Sequence, residues 1–171
     1  GVFHLKPGQW TDDTSMALCL AESLVEKNGF DPLDQMNRYL AWYENGYLSS
    51  TGTCFDIGNA TRQALEKFKA TGKPMSGSTH PSSAGNGSLM RLAPVAMFYA
   101  PSRATAQAYA GKSYRTTHGE KECVDACIVF AGMLVSALAG DNKQTILFEQ
   151  GVPAGVSGKI LAIAKGSYRE K

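Results

Sequence analysis

The chain has 171 residues, 43% of them hydrophobic and 19% charged, with a formal net charge of +2. That length and balance fit one globular domain with a buried core. They exclude the clustered basic surface of a nucleic-acid binder, and no apolar run reaches the roughly 18 residues of a membrane span.

Sustained period-two alternation is absent, so the expected fold class is all-α, a compact multi-helix array over a single domain, 1–171. The first helix is expected from Thr14 to Lys27, with Met16, Leu20, Ala21, Leu24 and Val25 inward and Gly29 as its stop. A second runs from Pro32 to Glu44, capped by Asp31 and ended by Gly46. A third covers Asp56 to Ala70, with Ile57, Ala60, Ala64, Leu65 and Phe68 on one face and Gly72 at its end. Gly72 to Ser88 is rich in Gly, Ser and Pro and reads as irregular loop.

Leu89 to Tyr99 is an apolar helix in which Pro94 forces a kink or a late start. Ser102 caps a short helix through Tyr114. His118 to Ala139 is the longest candidate, with Val124, Cys127, Ile128, Ala131, Leu134, Val135 and Leu138 giving a wide apolar face. Two amphipathic pieces follow, Lys143–Gln150 and Ser157–Tyr168. The four cysteines, Cys19, Cys54, Cys123 and Cys127, match no zinc or redox spacing. They read as small buried apolar residues in a reducing, cytoplasmic setting.

Three stretches carry chemistry. Thr11-Asp12-Asp13-Thr14 puts two carboxylates and two hydroxyls just before a helix. Hard oxygen donors suit Mg²⁺ or Mn²⁺, not zinc. The same residues also make a good helix cap, and alone they cannot fill the shells of two ions. Ser82 to Arg91 leads from a Gly/Ser-rich loop into a helix, where unpaired N–H groups and the helix dipole can receive phosphate. No Walker lysine follows, and a plain connector has the same composition. Asp56, between Phe55 and Ile57, is either the cap of the third helix or a partly desolvated acid. His118 is either a helix-start residue or a donor to a substrate hydroxyl.

Gly8-Gln9-Trp10-Thr11-Asp12-Asp13-Thr14-Ser15-Met16, Phe55-Asp56-Ile57-Gly58-Asn59, Gly85-Asn86-Gly87-Ser88-Leu89-Met90-Arg91 and Thr117-His118 occur in that order. Order and spacing resemble the ADP-ribosylglycohydrolase family over most of the chain, from Pro7 to Tyr168. The resemblance implies a two-metal Mg²⁺ or Mn²⁺ centre and cleavage of the N- or O-glycosidic bond between ADP-ribose and a protein side chain or a small-molecule acceptor. It makes Thr11, Asp12 and Asp13 metal ligands, with Asp12 and Asp13 also catalytic, and Asp56 an acid near the scissile bond. Asn59 would position substrate, Ser83, Ala84, Gly85, Asn86 and Gly87 would cradle the pyrophosphate, and His118 would lie near a ribose. A catalytically inactive ADP-ribose or nucleotide reader keeps the same loop without turnover.

The family pattern also has an early Gly-rich segment with a Gly-Asp pair, and a late Asp-x-Asp-[Ser/Thr] motif for the remaining ligands. Neither is found here: after Asn86 the aspartates are Asp125 and Asp141. The expectation is therefore a fragment or shortened member with half a metal shell.

Overall fold

Helix boundaries follow local chemistry. In this computed structural model, which describes residues 2–149 and 151–170, α1 spans Asp12–Glu26, α2 Pro32–Asn45 and α3 Asn59–Thr71. The Asp31 carboxylate accepts from the N–H groups of Leu33 and Asp34 at 2.9 and 3.0 Å, with Pro32 in the first turn of α2. Gly46 then turns left-handed (φ 68°) and ends it. A Cβ there would lie 2.1 Å from the Gly52 carbonyl oxygen, so the 46–53 loop can fold back on itself only with glycine. Gly72 ends α3 in the same conformation.

The predicted helix over 89–99 is two pieces, α4 (Gly87–Met90) and α5 (Ala93–Tyr99). Pro94 sits in the first turn of α5, where its missing N–H costs nothing, so it starts a helix and does not kink one. Ser102 caps α6 (Arg103–Tyr114), its hydroxyl accepting from the Thr105 N–H. The long helix α7 is Lys121–Leu138, capped by the Glu120 side chain. His118 therefore precedes it. A single-turn π segment covers Thr145–Glu149, α8 covers Gly158–Ala164, and a 3₁₀ turn covers Ser167–Glu170. Gln150, the last residue of the predicted 143–150 helix, lies outside the described residues. No strand occurs among the described residues, only an isolated parallel bridge between Ser78 and His118.

One core joins the helices. Met16, Cys19, Leu20 and Leu24 of α1 meet Met36, Tyr39 and Trp42 of α2, Leu65 and Phe68 of α3, and Val124, Cys127 and Ala131 of α7. α6 and α7 form the most extensive pairing. Small residues on α6 allow it: a Cβ on Gly111 would come 3.1 Å from Ile128. Outside the core, Arg38 of α2 ties down Asp34, Glu22 and Glu26, binding α1 to α2. Two residues assigned to apolar faces are solvent-facing, Val25 at 70% exposure and Leu138 at 55%. Each lies in the last turn of its helix; in α1 the adjacent Leu24 stays buried at 1% exposure while Val25 points to solvent. The cysteines are free thiols; Cys19 and Cys127 are buried, while Cys54 and Cys123 are partly buried. No helix among the described residues is long and apolar enough to cross a membrane.

Candidate functional site

Trp10 anchors the acidic motif. Its indole N–H donates to the Leu48 carbonyl at 3.3 Å, and its own carbonyl accepts from the Ser50 hydroxyl at 2.6 Å. The folded-back 46–53 loop thus fixes the chain just before Thr11. Thr11 is the N-cap residue of α1, but its side chain makes no capping bond. Asp12 and Asp13 occupy the first turn, so the helix begins two residues before the predicted Thr14. With no capping bond from Thr11, the capping explanation of this motif loses its main support.

Burial pushes the Asp12 carboxyl up to about 6, and the charges of Asp13 and Asp56 add to the shift. Asp13 is also raised, by burial first, with Asp56 adding to the effect and Arg91 opposing it. Two segments far apart in sequence therefore share one negative field. The donor chemistry, carboxylate and hydroxyl oxygen only, fits a hard divalent cation. In number the donors fall short. No group of three or more His, Cys, Asp or Glu side chains converges to hold a metal ion among the described residues.

The accumulated charge has a measurable cost. A carboxyl raised from an unfolded value of about 3.9 penalises folding once it must ionise. The penalty is absent below about pH 4, grows up to the folded value near 6, and is full above that. Asp12→Asn, measured with chelator, should therefore raise stability by about 1 kcal/mol above pH 6, allowing for solvent screening. The gain should vanish below pH 4. Thermal melts at pH 3.5 and 7.5 check this, and an equal difference at both would refute it.

Asp56 differs from expectation. Gly58 is the N-cap of α3, so Asp56 neither caps that helix nor lies within it. It is exposed, not desolvated between Phe55 and Ile57, and holds a left-handed conformation (φ 58°). That conformation is uncommon for a residue with a Cβ, although Asp tolerates it better than most. The Phe3 ring packs edge-on against Phe55 at 5.4 Å beside it. Asn59, the first residue of α3, is exposed.

The glycine loop is only partly free. Pro81–Ser83 form a 3₁₀ turn, and the Ser83 N–H and hydroxyl both bond the His80 carbonyl. The Gly85 N–H is taken by Cys123 Sγ at 3.4 Å, and its carbonyl accepts from the Tyr114 hydroxyl at 2.5 Å. The N–H groups of Ala84, Asn86, Gly87 and Ser88 have no recorded partner among the described residues. With α4 only four residues long, these amides, not a helix dipole, are what the loop offers an anion.

His118 lies under this loop, 4% exposed. A Cβ on Gly85 would be 3.2 Å from its Nε2, and one on Gly87 3.7 Å. Burial, helped by the Arg91 charge, drives its pKa down to about 3, so the ring is neutral at physiological pH. Nδ1 lies 2.7 Å from Ser88 Oγ and 2.9 Å from Thr117 Oγ1. Arg91, 2% exposed, donates to both hydroxyls and lies 4.8 Å from the Tyr39 ring centroid. Ser88, Arg91 and Thr117 lie inside the motifs, but the sequence assigns them no role; Tyr114 and Cys123 carry no sequence signal as site residues. Only their spacing against the loop reveals them.

An open cleft of about 670 Å³ lies beside the loop, walled by residues including Gln63, Lys67, Ser78, His80, Ser83 and Thr117. Asp12, Asp13 and Asp56 are not among its walls.

Residues 1–162 match the family model for ADP-ribosylglycohydrolase. An ADP-ribosylarginine hydrolase, Tri1, from Pseudomonas putida is 41% identical over 173 residues, covering 100% of this chain and 46% of its own length. The protein of the same name from Serratia proteamaculans is 37% identical, again over 100% of this chain and 46% of its own. A solved structure titled ADP-ribosylglycohydrolase-related protein complex superposes with a TM-score of 0.82 at 43% identity, over 98% of this chain and 54% of that one. The chain thus spans about half the length of the relatives it matches. With the motifs in order on a matching helical fold, this chain belongs to the ADP-ribosylglycohydrolase family.

Proposed function

We propose that this chain is part of a hydrolase that releases ADP-ribose from a protein side chain or a small-molecule conjugate by cleaving its N- or O-glycosidic bond. The observation that carries the reading is a half-buried acidic pair, Asp12 and Asp13, joined by Asp56: burial, with the charges of Asp13 and Asp56 adding to it, raises Asp12 to about 6. Such a cluster is costly in a structural cap and useful around a cation.

Thr11, Asp12 and Asp13 would hold Mg²⁺ or Mn²⁺, with the rest of the shell supplied by water or by residues outside this chain. A bound ion of this kind polarises water and carries ribose hydroxyls. Asp56, exposed, would stabilise positive charge developing on the ribose as the bond to the leaving group breaks. Asn59 follows on the same segment and orients substrate. The free amides at Ala84, Asn86 and Gly87 receive pyrophosphate oxygens, Ser83 and Gly85 shape the loop, and His118 faces a ribose from below.

We read 1–171 as part of a single domain. The free cysteines suit the reducing cytoplasm. Because two relatives bear the name ADP-ribosylarginine hydrolase, arginine is the first acceptor to test.

The chain and the complete encoded reading frame should be incubated with ADP-ribosylated arginine and serine peptides and Mg²⁺ or Mn²⁺, following free ADP-ribose. Metal-dependent release by the complete frame, with weaker or no release by the chain, is expected. Binding without release by either would favour the reader. Tight binding of two ions by this chain alone, seen by calorimetry, would end the half-shell reading.

A further inference from the structure

We infer that Arg91 is a positioning residue: through the hydroxyls of Ser88 and Thr117 it holds His118 as the neutral Nε2–H tautomer, turned as a fixed donor toward the glycine loop. Its functional meaning rests on reading that loop as the ADP-ribose site, whereas the tautomer is a property of the free protein.

The argument is a count of protons. Ser88 Oγ, Thr117 Oγ1 and His118 Nδ1 form a triangle with edges of 3.0, 2.7 and 2.9 Å. Arginine can only donate, so both hydroxyl oxygens accept from the Arg91 guanidinium. Each hydroxyl must then place its own proton elsewhere. Neither hydroxyl bonds a backbone carbonyl among the described residues. If Nδ1 is unprotonated, one hydroxyl donates to it and the other donates to its neighbour, and both protons are placed. If Nδ1 carries the proton, it becomes another donor, and one hydroxyl proton has no acceptor in a buried site. A buried hydroxyl proton without an acceptor is strongly disfavoured. The guanidinium also sets positive charge against the triangle, which opposes a proton on Nδ1.

With Nδ1 accepting, the ring proton is on Nε2. That atom has no protein partner among the described residues and is turned toward the backbone of Gly85 and Gly87. A donor there meets an acceptor oxygen, whether a ribose hydroxyl or a phosphate. The groups facing the ring are Arg91, Tyr114 at 5.3 Å between ring centroids, and Cys123 across Gly85. Of these, Arg91 is the cation. Burial, with that cation adding to it, keeps the ring from protonating.

Long-range ¹H–¹⁵N correlation of the histidine rings tests this, with the His118 signals identified by their loss in His118→Gln. In the free protein from pH 5 to 8, Nδ1 should show the shift of an unprotonated accepting nitrogen and Nε2 that of a protonated one, without titration. Arg91→Met should mix the tautomers and move the ring's titration upward, with burial still holding it below the ordinary histidine value. Arg91→Lys, which keeps charge and donors, should restore much of the pattern. If Arg91→Met does not fold, Ser88→Ala serves, since it breaks the relay and leaves the cation. A wild-type Nδ1–H ring, or one titrating near 6.5, overturns the inference, as does an unchanged pattern in the folded variant. Adding ADP-ribose should shift the Nε2–H proton. Its failure to do so, with the tautomer intact, would overturn the assignment of the loop to ADP-ribose and leave the relay standing.

Discussion

Gly77→Ala should destabilise the protein by about 3 kcal/mol and dislodge His118, although Gly77 is in no motif. A Cβ at position 77 would lie 2.4 Å from the His118 amide nitrogen and 2.7 Å from that of Gly119. Both are backbone atoms and cannot rotate away. Relief requires the 76–78 segment to separate from 115–119, at the expense of three hydrogen bonds. These are Ser76 N–H to Thr116 O (3.2 Å), Gly77 N–H to Arg115 O (3.1 Å) and Gly119 N–H to Ser78 O (2.9 Å). Those bonds seat the peptide that carries His118, so the histidine under the glycine loop should move with them. Gly58→Ala is the control, because a Cβ there meets nothing within 4 Å. Urea unfolding should show a large loss for Gly77→Ala and a smaller one for Gly58→Ala, limited to the poorer capping of α3 by alanine. Similar midpoints for the two variants would show that the backbone contact does not govern this region.

The same contact marks where sequence reading stopped. Helices with a cap and a left-handed terminator were legible from sequence because both signals are local. Asp31 and Gly46 bound α2 much as predicted, and Ser102 starts α6. The break between α4 and α5 was less so, since Pro94 permits either a kink or a fresh start and only packing chooses. The start of α3 was missed for a clearer reason. Asp56 is a good capping residue by type, but it adopts φ 58° and leaves Gly58 as the cap.

At the site, the residue types and their order were legible, whereas their environment was not. Asp56 was expected to be partly desolvated and is exposed, while Arg91, quoted only as the end of a motif, is 2% exposed. Ser88 and Arg91 are brought onto Thr117 and His118 by the seating of the 85–91 segment on Tyr114 and Cys123, which no periodicity encodes. The Gly85 amide was expected to be free for phosphate, yet Cys123 one turn into α7 takes it. That loss is invisible until the helix is placed.

On the proposed reading, Asp13→Ala should reduce metal-dependent ADP-ribose release by the complete reading frame on the order of 100-fold or more. Removing a ligand that organises a catalytic cation forfeits several kcal/mol of transition-state stabilisation, and each 1.4 kcal/mol is about tenfold. Asp13 stands between opposing influences, with Asp56 raising its carboxyl and the buried Arg91 lowering it. It is thus the member of the acidic pair on which a nearby positive charge already acts, and its loss removes both a donor and the partner of that charge. The fold should not suffer in proportion. Asp13 is half-buried, and no hydrogen bond or ion pair holds its side chain among those recorded. Relief of like-charge repulsion on Asp12 offsets part of any loss. The expected signature is a collapse of turnover with a melting temperature within a few degrees of the parent in chelator. That separation of activity from stability is what a site shaped for function should show. Release kinetics at saturating Mn²⁺, run beside thermal melts, measure both. Turnover within tenfold of the parent would remove Asp13 from the metal shell. A parallel collapse of melting temperature would make it structural.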